Sequence, residues 1–388
     1  MSSEWSESTW GDIATLEYGK AIRDYQSADG AYRVFGTNGP IGWHHKALCP
    51  TPGVVVGRKG AYRGIHYSDR PFFVIDTAFF VRPKGNLDLK WAYYALLTLD
   101  INGMDSGSAI PSTNREEFYR LPVRVPPVEV QKEVAAALSM LDDRIALLRE
   151  TNATLEGIAQ ALFKSWFVDF DPVRAKQQCL PPAGMDEATA ALFPDSFEDS
   201  ALGLVPKGWP VQTLEDLLVL QRGFDLPAQS RTPGCFPIIA ASGPSGTHVE
   251  AMAKGPGVVT GRSGVLGRVF LELGDYWPLN TTLWVKEFRA ATPCFAYELL
   301  RLLDLKAFNA GSAVPTLNRN HIHGLPYVAP ARACVEAYER MAMHMHERAR
   351  VNQQQAQTLA TLRDTLLPRL ISGQLRLPEA EAAVEAAL

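Results

Sequence analysis

The sequence contains itself twice, the second copy following the first at an offset of 204 residues in almost unbroken register. Gly39-Pro40-Ile41-Gly42 returns as Gly243-Pro244-Ser245-Gly246, and Pro52-Gly53-Val54-Val55-Val56-Gly57-Arg58 returns as Pro256-Gly257-Val258-Val259-Thr260-Gly261-Arg262. The longest block, Gly107-Ser108-Ala109-Ile110-Pro111-Ser112-Thr113-Asn114-Arg115, becomes Gly311-Ser312-Ala313-Val314-Pro315-Thr316-Leu317-Asn318-Arg319. A period this long excludes solenoids and propellers, whose units run to roughly 20 to 50 residues. It leaves one duplicated domain, a pseudo-two-fold relation between the copies, and two similar surfaces.

With 388 residues there is room for two or three domains, each with its own core. No run approaches the roughly 18 uninterrupted apolar residues of a membrane span. The start Met1-Ser2-Ser3-Glu4-Trp5 lacks a basic, apolar signal segment. The expectation is a cytoplasmic protein with no membrane partner. Five cysteines stand far apart and never as Cys-x-x-Cys, so neither a disulfide frame nor a zinc site is encoded. The net charge of −4 argues against a chain that binds nucleic acid along its whole surface. Much of the acid, however, lies in helices, linker and tail, while the repeats carry clusters such as Arg58-Lys59 with Arg63. Charge alone neither establishes nor excludes a DNA partner.

Each repeat reads as a mixed domain followed by a long helix. Strands are expected at 53–57, 72–81, 257–261 and 277–285, and helices at 87–99 and 294–305. After Pro126-Pro127 a helix begins, since proline suits its first turn and Glu129 the positive end of its dipole. Its apolar residues Val134, Leu138, Leu141, Ile145, Leu148, Leu155, Ala159, Leu162 and Trp166 form a heptad seam, interrupted by Asn152. The second copy has Tyr338, Ala342, Met345, Ala349, Asn352, Ala356, Leu359, Leu366 and Leu370, with Arg363 weakening the seam. Some 40 residues at ~1.5 Å each make a rod on the order of 60 Å long. The rods are expected to pair, with Asn152 and Asn352 fixing register. Pro368 either ends the second helix near Leu367 or lets it resume as far as a Gly373 cap.

The resulting architecture is α+β: two similar mixed α/β domains joined by two long antiparallel coiled-coil helices. Its boundaries fall at 1–126 for the first domain, 127–170 for the central helix, 171–205 for a Pro-, Gly- and acid-rich linker, 206–329 for the second domain and 330–373 for the distal helix. The Ala- and Glu-rich tail, 374–388, reads as disorder-prone.

No catalytic constellation appears. The chain lacks an Asn/Asp-Pro-Pro-aromatic methyltransferase loop, a phosphate loop, a Gly-x-Ser-x-Gly elbow and a clear Asp…Glu-x-Lys nuclease set. No metal or cofactor is implied. His44 has a counterpart in His248, but one histidine per copy does not make a metal site, and turn stabilisation or DNA contact suits it better. His344 and His346 read as solvent or packing residues.

The run Ala161-Leu162-Phe163-Lys164-Ser165-Trp166-Phe167-Val168-Asp169-Phe170-Asp171-Pro172-Val173, with Leu192-Phe193-Pro194-Asp195 and Gly203-Leu204-Val205-Pro206-Lys207-Gly208-Trp209, resembles the central shared region of type I restriction-modification specificity subunits. Leu362-Arg363-Asp364-Thr365-Leu366-Leu367-Pro368-Arg369-Leu370-Ile371-Ser372-Gly373 resembles their distal region. The resemblance covers nearly the whole chain. It implies a non-catalytic subunit of a DNA adenine methyltransferase/endonuclease complex, with residues 1–126 and 206–329 each reading half of a bipartite target in double-stranded DNA. The rods would set the spacing and dock modification (methyltransferase) subunits, two of them; participation of restriction subunits is left open. Because the copies differ, the half-sites should differ.

The repeated positions Arg58 with Arg262, Ser108 with Ser312, and Asn114-Arg115 with Asn318-Arg319 suit phosphate contact or loop geometry, which position without specifying. Divergent neighbours suit base edges: Lys59, Tyr62 and Arg63 in the first copy, Ser263 and Arg268 in the second, with Trp43 and Thr247, at equivalent positions in the Gly-Pro-x-Gly turns, as further discriminators. Asn152, Phe163, Trp166, Phe167, Asn352 and Leu366 are the candidates for helix register and partner docking, Phe163, Phe167 and Phe170 being read as exposed apolar surface. The alternative is a stand-alone bipartite DNA-binding protein with no enzyme attached.

Overall fold

The structure, a computed structural model, describes residues 5–25, 29–104, 110–311 and 314–385. It divides into two compact units, Met1–Arg149 with Gln353–Leu388, and Glu150–Asn352.

In the first unit a four-stranded antiparallel sheet has the order Ala14–Tyr18, Ala78–Pro83, Gly53–Gly57, Ile65–Ser68. A three-stranded sheet has Tyr32–Gly36 between Gly39–His44 and the parallel Phe72–Val74. Gly53–Gly57 is buried throughout because the two faces of its valine run meet different cores. Val54 and Val56 pack beneath the helix Leu89–Leu97, against Trp91 and Leu96, whereas Val55 joins Phe35, Phe72 and Val74. The helix starts where the Asp88 carboxylate accepts the backbone N–H of Trp91 at 2.8 Å, an N-cap.

The second unit repeats this plan. Its four-stranded sheet is Leu218–Arg222, Thr282–Phe288, Gly257–Gly261, Val269–Glu272, and its three-stranded sheet sets Phe236–Ala240 between Gly243–His248 and Trp277–Pro278. The helix Pro293–Leu302 stands where Leu89–Leu97 stood. Here Val258 faces the large core and Val259 a small one with Ile239 and Tyr276.

The long helices are Val128–Phe167 and Arg332–Ile371, 40 residues each and offset by the same 204 as the repeat. Within the first unit Arg363 pairs with Asp142 at 2.6 Å, while Val134 and Leu370 line one groove, so the two segments run antiparallel. Within the second, the Tyr338 hydroxyl donates to the Ala159 carbonyl at 3.2 Å and Asn352 meets Asn152, again antiparallel. The helix continues through Pro368 and stops at Ile371, with Gly373 in left-handed backbone at φ +74°.

Four expectations need correction. The spans 72–81 and 277–285 are two strands each, because the chain passes from the three-stranded to the four-stranded sheet between Val74 and Ala78 and again between Pro278 and Thr282. The Gly-Pro-x-Gly segments lie within the strands Gly39–His44 and Gly243–His248 rather than in turns. The span 171–205 is folded onto the second unit, giving Val173, Phe193 and Val205 to its core. The tail carries the helix Leu377–Glu385, whose Ala380 and Val384 are buried in the first unit, so apolar burial orders a segment whose composition reads as disorder-prone.

Candidate nucleic-acid interface

In each unit the strand that ends in Gly-Arg is stitched to the segment that ends in Asn-Arg. In the first, Thr113 N–H donates to the Arg58 carbonyl and Gly60 N–H to the Pro111 carbonyl, both at 2.9 Å. In the second, Leu317 donates to Arg262 at 2.8 Å and Gly264 to Pro315 at 2.9 Å. Gly60 (φ +124°) and Gly264 (φ +88°) occupy left-handed backbone that side chains disfavour, which accounts for a glycine at both positions. Asn114 and Asn318 cap the short helices that follow, accepting the N–H of Glu116 at 2.9 Å and of Asn320 at 3.0 Å. Their repetition is thus explained by local structure. Ser108 and Ser312 lie outside the described residues.

The arginines converge. In the first unit the guanidinium carbons of Arg58 and Arg115 stand 4.7 and 4.4 Å from the ring centroid of Tyr18, whose side chain is exposed. Arg58 Nη1 also donates to the Asp76 carbonyl at 2.8 Å. In the second unit Arg222, Arg262 and Arg319 line one groove of about 420 Å³ with Thr316 and Asn318, and among the described residues no carboxylate belongs to its lining. Arg115 and Arg319 reach the carbonyls of Leu16 and Leu220 alike, at 3.4 Å. Tyr18 and Arg222 escaped the sequence reading, although Tyr18-Gly19 and Arg222-Gly223 obey the same offset.

Among the divergent candidates, Lys59, Tyr62 and Arg268 are exposed and Ser263 is half-buried. Arg268 Nη1 donates to the Ser242 carbonyl at 2.9 Å. Arg63 is the exception. It is 2 % exposed, and its Nη2 donates to the carbonyls of Ile101, Asn102 and Met104 at 3.0, 2.8 and 2.8 Å. A side chain held this way supports the loop behind it and offers no edge to a base. Trp43 carries Arg33 over its ring at 4.6 Å, and Thr247 Oγ1 accepts Gly234 N–H at 3.4 Å. The Nδ1 of His44 accepts Lys46 N–H at 3.0 Å, holding the local turn, and that of His248 accepts Thr232 N–H at 3.1 Å, tying its strand to the loop 16 residues before it.

On the helices, Phe163, Trp166 and Phe167 are 1, 4 and 2 % exposed, packed with Tyr338, Phe295 and Trp209 in the core of the second unit, and Phe170 is half-buried against the same core. The reading of Phe163, Phe167 and Phe170 as exposed docking surface is therefore corrected. Leu366 is buried in the first unit.

No group of three or more His, Cys, Asp and Glu among the described residues is arranged to hold a metal ion. Burial pushes the Cys49 and Cys334 thiols up to about 12, so both stay protonated and unreactive at neutral pH. No helix among the described residues is long and apolar enough to cross a membrane.

Residues 2–157 match the family described as Type I restriction modification DNA specificity domain. The chain is 24 % identical over 382 residues to the HindI specificity subunit of Haemophilus influenzae, covering 79 % of this chain and 82 % of that one. It is 22 % identical over 330 residues to the MjaIX specificity subunit of Methanocaldococcus jannaschii, covering 76 % and 71 %. Its fold is similar to the crystal structure of the type I restriction-modification S subunit from M. genitalium, with TM-score 0.64, 18 % identity, and 95 % of this chain and 96 % of that one aligned.

Proposed function

We propose that the chain, whose residues 2–157 match the Type I restriction modification DNA specificity domain and which is similar to specificity subunits over three quarters of its length, is the non-catalytic member of a type I restriction-modification complex, each of its repeated domains reading one half of a bipartite, asymmetric DNA target. The observation that carries the reading is the stitched loop pair, built identically in both units and presenting Arg58 with Arg115 in one and Arg262 with Arg319 in the other. Guanidiniums match phosphate geometry, fix a protein on the duplex and carry no sequence information. Discrimination then falls to the divergent neighbours, the exposed Lys59, Tyr62 and Arg268 and the half-buried Ser263. The long helices hold the domains at a set spacing and supply the surface on which two modification subunits, and restriction subunits where present, assemble.

Co-expression with the cognate modification subunit, followed by methylation sequencing of host DNA, tests the reading. A bipartite motif with modified adenines on opposite strands is expected. Site-specific DNA binding by the chain with neither complex nor methylation would instead favour a stand-alone DNA-binding protein.

A further inference from the structure

The two arginine seats differ in charge at one position, Tyr18 in the first unit against Arg222 in the second, and that difference changes what each can hold. In the first unit the faces and edges of Tyr18 occupy the place beside Arg58 and Arg115, and the electron-rich ring answers both cations. In the second unit the same place is taken by a third cation, Arg222. Among the described residues its one carboxylate contact is Asp225 at 3.4 Å, with both side chains more than half exposed, an arrangement that neutralises little. Asp225 Oδ1 also accepts the Asn280 amide. Arg262 makes no ion pair among the described residues. Three arginines lining one groove leave it a surplus of positive charge that an entering anion would offset, and a guanidinium presents a planar fork of donors suited to phosphate oxygens.

We propose that the Arg222–Arg262–Arg319 groove seats a phosphate of the DNA backbone at the second half-site, and that Tyr18 closes the equivalent seat of the first unit. This rests on the DNA-reading function proposed above. Its consequence is unequal grip: the second domain holds its half-site with more charge than the first, and binding there weakens more steeply with salt.

The test uses the full chain assembled with its modification subunits, measuring duplex affinity against salt concentration together with the methylated motif. Wild type is compared with Arg222→Tyr, Arg222→Gln and Tyr18→Arg. Each phosphate contact contributes about 0.9 to the slope of log K against log salt. Both Arg222 variants should therefore lower the slope by about 1, weaken binding severalfold at low salt and leave the motif unchanged, while Tyr18→Arg raises the slope by about 1. An unchanged slope in both Arg222 variants would overturn the proposal. So would a relaxed second half of the motif, which would make Arg222 a base reader. A wild-type complex that neither binds nor methylates a bipartite site would sink the DNA-reading function itself, an outcome separate from any behaviour of the variants.

Discussion

The side-chain amide of Asn352 donates a 2.9 Å hydrogen bond to Oδ1 of Asn152, and Asn152 Nδ2 in turn donates to the Ala349 carbonyl at 2.9 Å. Asn352 is 1 % exposed. The positions related to this pair by the repeat are Leu148 and Ala356, both buried in the apolar core of the first unit. The duplicated helices thus carry a polar pair in one copy and an apolar pair in the other. Such a mismatch disfavours alternative registers at some cost in stability.

Asn352→Leu leaves the Asn152 oxygen without its donor, and an unpaired buried polar group costs about 1–3 kcal/mol. Changing both residues, Asn152→Ala with Asn352→Leu, installs the apolar pair of the first unit and should recover most of that loss. Denaturant titration of the full chain checks it. A single variant as stable as wild type would show that the amides are not coupled.

Arg63 offers a sharper contrast, because its two readings predict opposite results. As a buried support it has three carbonyls to satisfy, so Arg63→Ala should lower stability by roughly 2–4 kcal/mol and leave the half of the target read by the first domain unchanged. A base reader would do the reverse, keeping the thermal midpoint and relaxing the motif. Thermal unfolding and methylation sequencing of the same variant decide between them.

Glu298 lies 1 % exposed beside Arg301, and burial pushes its carboxyl up to about 7 despite that cation. The folded state therefore holds the proton more tightly than the unfolded chain, so the stabilisation is complete below the ordinary 4.5 and is lost as pH rises towards 7. Glu156, which also pairs with Arg301 at 2.8 Å, adds to the penalty on ionisation. Glu298→Gln keeps the neutral shape, so its stability relative to wild type should climb across that window by on the order of 2 kcal/mol. A difference independent of pH would show that Glu298 ionises normally.

The 204-residue offset made most of the fold legible in advance: it aligns the all-buried strands Gly53–Gly57 and Gly257–Gly261, and the long helices themselves. What it concealed lies where a one-dimensional pattern has no depth. Arg63 has Gly267 as its counterpart and reads as a divergent surface residue, since nothing in the sequence shows three carbonyls near 101–104 converging on it. Tyr18 and Arg222 were visible as a pair but sit at strand ends, away from the glycine-rich loops that draw attention. The excess of aromatics at 163–170 was a signal of a second packing face on the helix, one that heptad spacing alone does not report.

That second face sets the final expectation. Phe163 touches Phe167, Phe295 and Tyr338 at ring-centroid distances of 5.3, 5.1 and 5.6 Å, tying the helix to the domain rather than to a partner. Truncating a buried phenylalanine leaves a cavity and costs about 3–5 kcal/mol. Phe163→Ala should therefore destabilise the second unit, moving its unfolding to lower denaturant, whereas the exposed Leu147→Ala on the same helix should change little. If Phe163→Ala unfolded like wild type yet failed to assemble with modification subunits, the side chain would be a docking residue after all, and the core packing described for it would be wrong.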